Sequence, residues 1–231
     1  MENLNAKKLF ILLAYLIILL EAFVFESQNN YIQKNEYYSG VVSDTVFIWN
    51  GKSFDGLEFV LRNKNIPVES VYKIQNGVLH INGGQIGYFK TKEIFSNYKL
   101  HTEWRWIEQN ENGNSGVLVN SQKPDTVWPN CIQVQLKKDN AGDFIAMSGA
   151  SLKETIGKPK ETSPKFYPSN EKPECEWNSC DIVCSGDSIL VYVNGLYQNK
   201  GTHCNSKNGT IGFQLEGKPV EFRNIFLIKN K

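Results

Sequence analysis

The chain has 231 residues, 41% of them apolar and 12% aromatic, which is material for one large core and too little for two. Its 25 Lys and Arg against 24 Asp and Glu leave a net charge near +1 with no basic stripe. That balance speaks against nucleic acid as the principal partner and gives no long-range steering of a charged ligand.

Lys7 and Lys8 precede the apolar run 9–20, the order of a positive n-region and an h-region of export-signal length. Glu21 interrupts the run and residues 22–25 offer no small-x-small cleavage site, so 1–27 reads as a signal peptide or an uncleaved N-terminal membrane anchor. Residues 28–45 read as a polar linker, and 46–231 as the domain that this segment delivers outside the cytoplasm. The membrane is expected as a partner only through that first segment, if it stays uncleaved.

From residue 46 onward, short β-rich runs are separated by Gly, Asn, Asp and Pro, and no amphipathic helix of useful length intervenes. Strands are predicted over 72–74, 78–81, 88–91, 98–107, 115–120, 131–136, 144–147, 177–184, 188–193, 209–215 and 220–228. Asn76-Gly77 and Asn194-Gly195 sit between alternating runs as two-residue hairpin turns. The interval 151–173, with four prolines, reads as a long surface connection of the kind that often covers a site. So many strands fit an all-β jelly roll, a sandwich of two curved antiparallel sheets.

Four of these strands carry charged or amide side chains opposite their apolar parity. The pairs are Glu103 and Arg105, Gln133 and Gln135, Gln214 and Glu216, and Glu221 and Arg223. Alternate residues of a strand share a face, so strands lying in one sheet would gather these groups into a single polar floor suited to a sugar or a carboxylate. His101 shares the parity of Glu103 and is the best placed of His80, His101 and His203, none of which has a sequence-evident carboxylate to orient it. Trp104, Trp106 and Trp177 include core candidates, whereas Trp128, beside Pro129 in a loop, suits a stacking platform for a sugar ring. The five cysteines leave at least one unpaired within the chain, and their spacing matches no zinc motif.

The phrases NGVLHINGGQIGYFKTKEIFSNYKLHTEWRW, GNSGVLV, WPNCIQVQL, DNAGDF, EWNSCDIVCSGDSILVYVNG and IGFQLEGKPVEFRNI follow one another from Asn76 to Ile225. In that order and spacing the chain resembles the 3-keto-disaccharide hydrolase domain family, over nearly all of 46–231. The resemblance implies a concanavalin A-like sandwich, export in bacteria to the periplasm, cell surface or medium, and hydrolysis of glycosides already oxidised at C3.

Such chemistry needs a base for the acidified C2 proton and a group to hold the enolate charge. Glu103 and Arg105 fit by type, with His101 as a further catalytic candidate. Candidate substrate-binding residues are Asn114, Ser115, Gln133, Gln135, Trp128, Gln214, Glu216 and Arg223. Arg223 is equally readable as a structural partner of Glu221 or Glu216. The resemblance leads one to expect Glu where Gln133 stands, and an amide cannot take a proton at neutral pH. Gln133 therefore points either to Glu103, Glu216 or Asp143 as base, or to a lectin-like module that binds small carbohydrate without turnover. A retaining glucanase ranks last, because no strand carries the clustered carboxylates it needs. No cofactor is evident; Asp139 and Asp143, flanking Gly142, are weak candidates for a divalent cation.

Overall fold

The computed structural model describes residues 45–107 and 113–229; the signal peptide or anchor and the linker expected over 1–45 fall, up to residue 44, outside the described residues. In chain order the strands are β1 (Thr45–Phe47), β2 (Leu57–Leu61), β3 (Tyr72–Gln75), β4 (Val78–Ile81), β5 (Ile86–Thr91), β6 (Tyr98–Trp106), β7 (Gly116–Gln122) and β8 (Asn130–Gln135). They continue with β9 (Phe144–Met147), β10 (Thr162–Ser163), β11 (Asn178–Ser185), β12 (Ser188–Val193), β13 (Leu196–Gly201), β14 (Thr210–Glu216) and β15 (Val220–Lys229). One helical turn, α1 (Val68–Val71), leads into β3.

Two antiparallel sheets result. The first runs β13-β12-β11-β6-β15-β4-β3, with β1 sharing the β15 edge with β4, and the second runs β10-β9-β8-β7-β14-β5-β2. Their inner faces pack through aromatic rings: Phe89 and Phe213 of the second sheet stack at 4.7 Å, and Phe222 of the first meets Phe213 edge-on at 5.3 Å. Each ring is at most 1% exposed, so each contributes roughly 1.5–3 kcal/mol of burial. The chain is a jelly-roll sandwich of two antiparallel sheets, as its alternating runs predict, and takes the concanavalin A-like form that the resemblance implies.

The hairpin turns behave as Asn-Gly pairs should. Asn76 and Gly77, and likewise Asn194 and Gly195, all have positive φ, as a type I′ turn requires. Strand β13 goes unforeseen in the sequence because Gln198 and Asn199 interrupt its apolar pattern, yet both are fully buried. Gln198 Nε2 donates to Asn170 Oδ1 at 2.9 Å, while Asn199 Nδ2 donates to the carbonyls of Gly142 and Ser163 at 3.0 and 3.1 Å. Their amides fasten the proline-rich interval to the sheet edge, with β10 inside that interval.

One expectation is corrected by the topology. β6 and β15 are neighbours in the first sheet, whereas β8 and β14 flank β7 in the second. The four polar pairs therefore lie on two outward faces, on opposite sides of the sandwich. Alternation reports which side of its own strand is apolar, and both layers of a sandwich give the same alternation.

Candidate functional site

On the first sheet, neighbouring strands place Glu103, Arg105, Glu221 and Arg223 in direct cross-strand register, Glu221 opposite Arg105 and Arg223 opposite Glu103. Arg105 Nε donates to Glu221 Oε2 at 2.5 Å, and His80 Nδ1 lies 2.5 Å from the other oxygen of that carboxylate. Arg223 Nε donates to Glu103 Oε2 at 2.6 Å, and Asn224 Nδ2 donates to Oε1 at 3.0 Å. Both guanidinium groups lie over the Trp177 ring, at 4.5 Å for Arg105 and 4.0 Å for Arg223. Trp177 is therefore a half-buried cation platform and not a core residue.

His101 has the carboxylate orienter that the sequence hides: its Nδ1 lies 3.0 Å from Asp181 Oδ1, on the adjacent strand β11. Burial works against the imidazolium, but Asp181 and Glu103 outweigh it and raise His101 to about 9. Burial would likewise raise the Glu103 carboxyl, yet His101, Asn224 and Arg223 more than offset it and hold Glu103 at about 2. A carboxylate so stabilised as an anion is a weak proton acceptor at neutral pH. Glu103, Arg105 and His101, expected from the sequence as catalytic candidates, thus sit with Arg223 in a charge-compensated network, apart from the amide groups expected beside them.

Those amides converge on the outward face of the second sheet. Gln133 Nε2 donates to Gln135 Oε1 at 3.2 Å and to Gln214 Oε1 at 3.0 Å, and Gln214 Nε2 donates to Glu216 Oε2 at 3.0 Å. Asn114 Nδ2 reaches the same carboxylate oxygen at 2.7 Å, while its own Oδ1 is buried without a hydrogen bond. The Ser115 hydroxyl donates to the Gln214 carbonyl at 2.6 Å, pinning the Ser115 side chain to the β14 backbone. Burial pushes the Glu216 carboxyl above its ordinary value against the opposing pull of Lys137, Arg62 and the Gln214 amide. This is the environment of a carboxylate poised to accept a proton.

Gly116 explains the GNSG phrase. A Cβ built there would come within 2.5 Å of the Gln133 amide nitrogen, so a bare backbone is what lets the Gln133 side chain lie across β7 toward Gln214.

The β7–β8 loop turns over this face. Asp125 Oδ1 meets the outward Lys90 Nζ of β5 at 2.8 Å, Glu58 of β2 holds the same ammonium at 3.1 Å, and the Arg62 guanidinium lies 5.9 Å from the Trp128 ring. Register places Arg62, just past β2, at the sheet end where β14 finishes with Glu216, whereas Trp128 descends from the opposite end. Side chains from both ends therefore meet across the face. Lys90 and Tyr88 point outward but are 1% and 0% exposed, and the Tyr88 hydroxyl makes no hydrogen bond.

Arg62, Lys90, Tyr88, Asp125 and Lys137 are missed by sequence reasoning. Arg62 and Lys137 stand next to strand ends with no motif to mark them. The outward placement of Tyr88 and Lys90 is legible in parity, but a fully buried lysine is not.

Asp143 ties the loops together: its Oδ1 accepts the Lys165 backbone N–H at 2.8 Å and its Oδ2 accepts from the Asn140 amide at 3.4 Å. The Asp139 carbonyl accepts from Lys165 Nζ. Among the described residues no cluster of three or more His, Cys, Asp or Glu could hold a metal ion.

A jelly-roll sandwich bearing a buried amide-and-carboxylate network under a loop defines the class of molecule. Residues 44–228 match the 3-keto-alpha-glucoside-1,2-lyase-like domain, and the chain belongs to that family. None of the curated proteins matches it. Among solved structures it is similar to a candidate glycosyl hydrolase from Parabacteroides distasonis, with a TM-score of 0.62 and 19% identity over 82% of this chain and 95% of that one. A Bacillus licheniformis beta-glucanase follows with a TM-score of 0.57 and 11% identity, over 80% and 97% of the two chains. A carbohydrate binding module from Bacillus subtilis gives 0.54 and 12%, over 75% and 96%. At these identities the likeness is one of fold.

Proposed function

We propose that the protein is an exported glycoside-processing hydrolase that cleaves 3-keto-glycosides on the outward face of its second sheet. The observation that carries this reading is the family match over residues 44–228. The network around Glu216 supports placing the chemistry there.

In this reading Glu216 takes the proton from C2, and the C–H electron pair moves into the C2–C3 bond as O3 gains negative charge. Arg62 and Lys137, whose charges already act on Glu216, suit the enolate oxygen. Collapse of the enolate expels the aglycone oxygen from C1, and that oxygen takes the proton that Glu216 removed from C2. Water then adds to C1, giving one proton to Glu216, which passes it to C2. Gln133, Gln135, Gln214 and Asn114 orient sugar hydroxyls, and Trp128 stacks on a ring. Incubation with a nitrophenyl 3-keto-glucoside tests the reading: nitrophenolate is released, and no release with or without added divalent cations would refute it.

The second reading, a carbohydrate-binding module without turnover, is favoured by Gln133, whose amide donates to Gln135 and Gln214 where a carboxylate is expected. Under that reading the parent protein binds sugar but is inert, and Gln133→Glu gains activity.

A further inference from the structure

The outward face of the first sheet carries a second feature that the chemistry at Glu216 does not use. Cross-strand register lines up Phe47, Phe226, His101, Asp181, Tyr192 and Tyr197 in one row across β1, β15, β6, β11, β12 and β13. The rings touch in sequence: Phe47 and Phe226 are 5.8 Å apart, Phe226 stacks on His101 at 4.9 Å, and Tyr192 meets Tyr197 at 5.5 Å. Phe166, whose backbone N–H bonds to the Gln198 carbonyl at 2.7 Å, extends the row past the sheet edge at 5.8 Å from Tyr197. Six adjacent strands span about 24 Å, and the two ends are open, with Phe47 68% and Phe166 55% exposed.

We infer that this row is a platform for an uncharged, extended polysaccharide, on the side of the sandwich opposite the Glu216 face. The distribution of polarity selects the occupant. A face that docks a protein, including a second copy of this chain, concentrates its apolar groups at the centre and its polar groups at the rim. Here the order is reversed: the exposed rings Phe47 and Phe166 lie at the two ends, and the ion pairs, with the half-buried Trp177 beneath two of them, lie between.

The central charges pair with one another, Arg223 with Glu103, Arg105 with Glu221, and His101 and Lys99 with Asp181, so each is already partnered within the face. The two guanidinium groups bond through Nε and remain 33% and 36% exposed, presenting N–H donors toward hydroxyl groups. Rings for the apolar side of pyranoses and planar donors for their hydroxyls, on one face of the sheet, match a neutral glycan chain.

Affinity electrophoresis of the full chain through gels containing soluble neutral glucans, with a carboxymethylated glucan as the charged comparison, tests the platform. The neutral polymers retard the protein, and Tyr192→Ala/Tyr197→Ala weakens the apparent association about tenfold. Glu216→Gln is retarded like the parent, which separates the platform from the proposed chemistry. If the double variant fails to fold, Phe166→Ala at the exposed end of the row substitutes for it and shows the same direction of effect. Retardation by no neutral glucan, or retardation unchanged in the variants, overturns the inference. So does sedimentation showing a dimer that the tyrosine variant dissociates while glycan retention is unchanged.

Discussion

Arg223 and Glu103 stand directly opposite each other on β15 and β6, 120 residues apart in sequence, and close a hydrogen-bonded ion pair of 2.6 Å over the Trp177 ring. This pair joins the last strand to the long central one. It has the marks of a fastening, because every charge in it has a partner and Asn224 takes the second carboxylate oxygen.

Glu103→Gln therefore acts on stability. It leaves the half-buried Arg223 facing an amide and costs on the order of 1–3 kcal/mol, read as a lower urea midpoint with an unchanged m-value.

The same network sets a pH dependence of opposite sign on its two sides. Glu103 is depressed to about 2 in the folded protein, so its contribution is present above the ordinary carboxylate range and is lost as pH falls toward 2. His101 is raised to about 9, so its contribution is complete below about 6.5 and is lost as pH rises through 9. Thermal midpoints between pH 3 and 10 fall away at both ends. His101→Gln removes the dependence between pH 6.5 and 9 and weakens the acid side without abolishing it, since Arg223 and Asn224 still hold Glu103 down.

Gly116→Ala tests the amide network without touching the core. The new methyl group comes within 2.5 to 2.9 Å of Gln133 Nε2, Cγ and Cδ, on the outward face and away from the core, so the Gln133 side chain is forced off Gln214. The thermal midpoint falls by a few degrees at most, and titration with substrate analogue shows binding weakened about tenfold or more. Unchanged binding would remove Gln133 from the site.

Phe222→Ala addresses the sandwich itself. The ring is fully buried against Phe89 and Phe213 of the opposite sheet, and truncation costs about 3–5 kcal/mol in denaturant unfolding. A cost below about 1 kcal/mol would mean that the two layers do not depend on this contact.

Most of the sandwich is legible in the sequence, because alternation and Asn-Gly turns are local and the core residues obey them. β2 and β13 escape for a reason seen most clearly in β13, where buried Gln198 and Asn199 answer to distant loop carbonyls. The polar pairs are legible one strand at a time, and their division between two faces is not, since pairing partners such as Arg223 and Glu103 are fixed by sheet order. Glu216 reads as one carboxylate among several until burial and the amides of Gln214 and Asn114 distinguish it from Glu103. Arg62 and Lys137 carry no motif at all.

The most direct test compares Glu216→Gln with Glu103→Gln for aglycone release from a 3-keto-glucoside under conditions where both variants are folded. If the chemistry belongs to the second sheet, Glu216→Gln lowers kcat by about a hundredfold or more, whereas Glu103→Gln stays within a few-fold of the parent. The reverse order, with Glu103→Gln inactive and Glu216→Gln intact, would contradict the assignment and return the reaction to the first sheet.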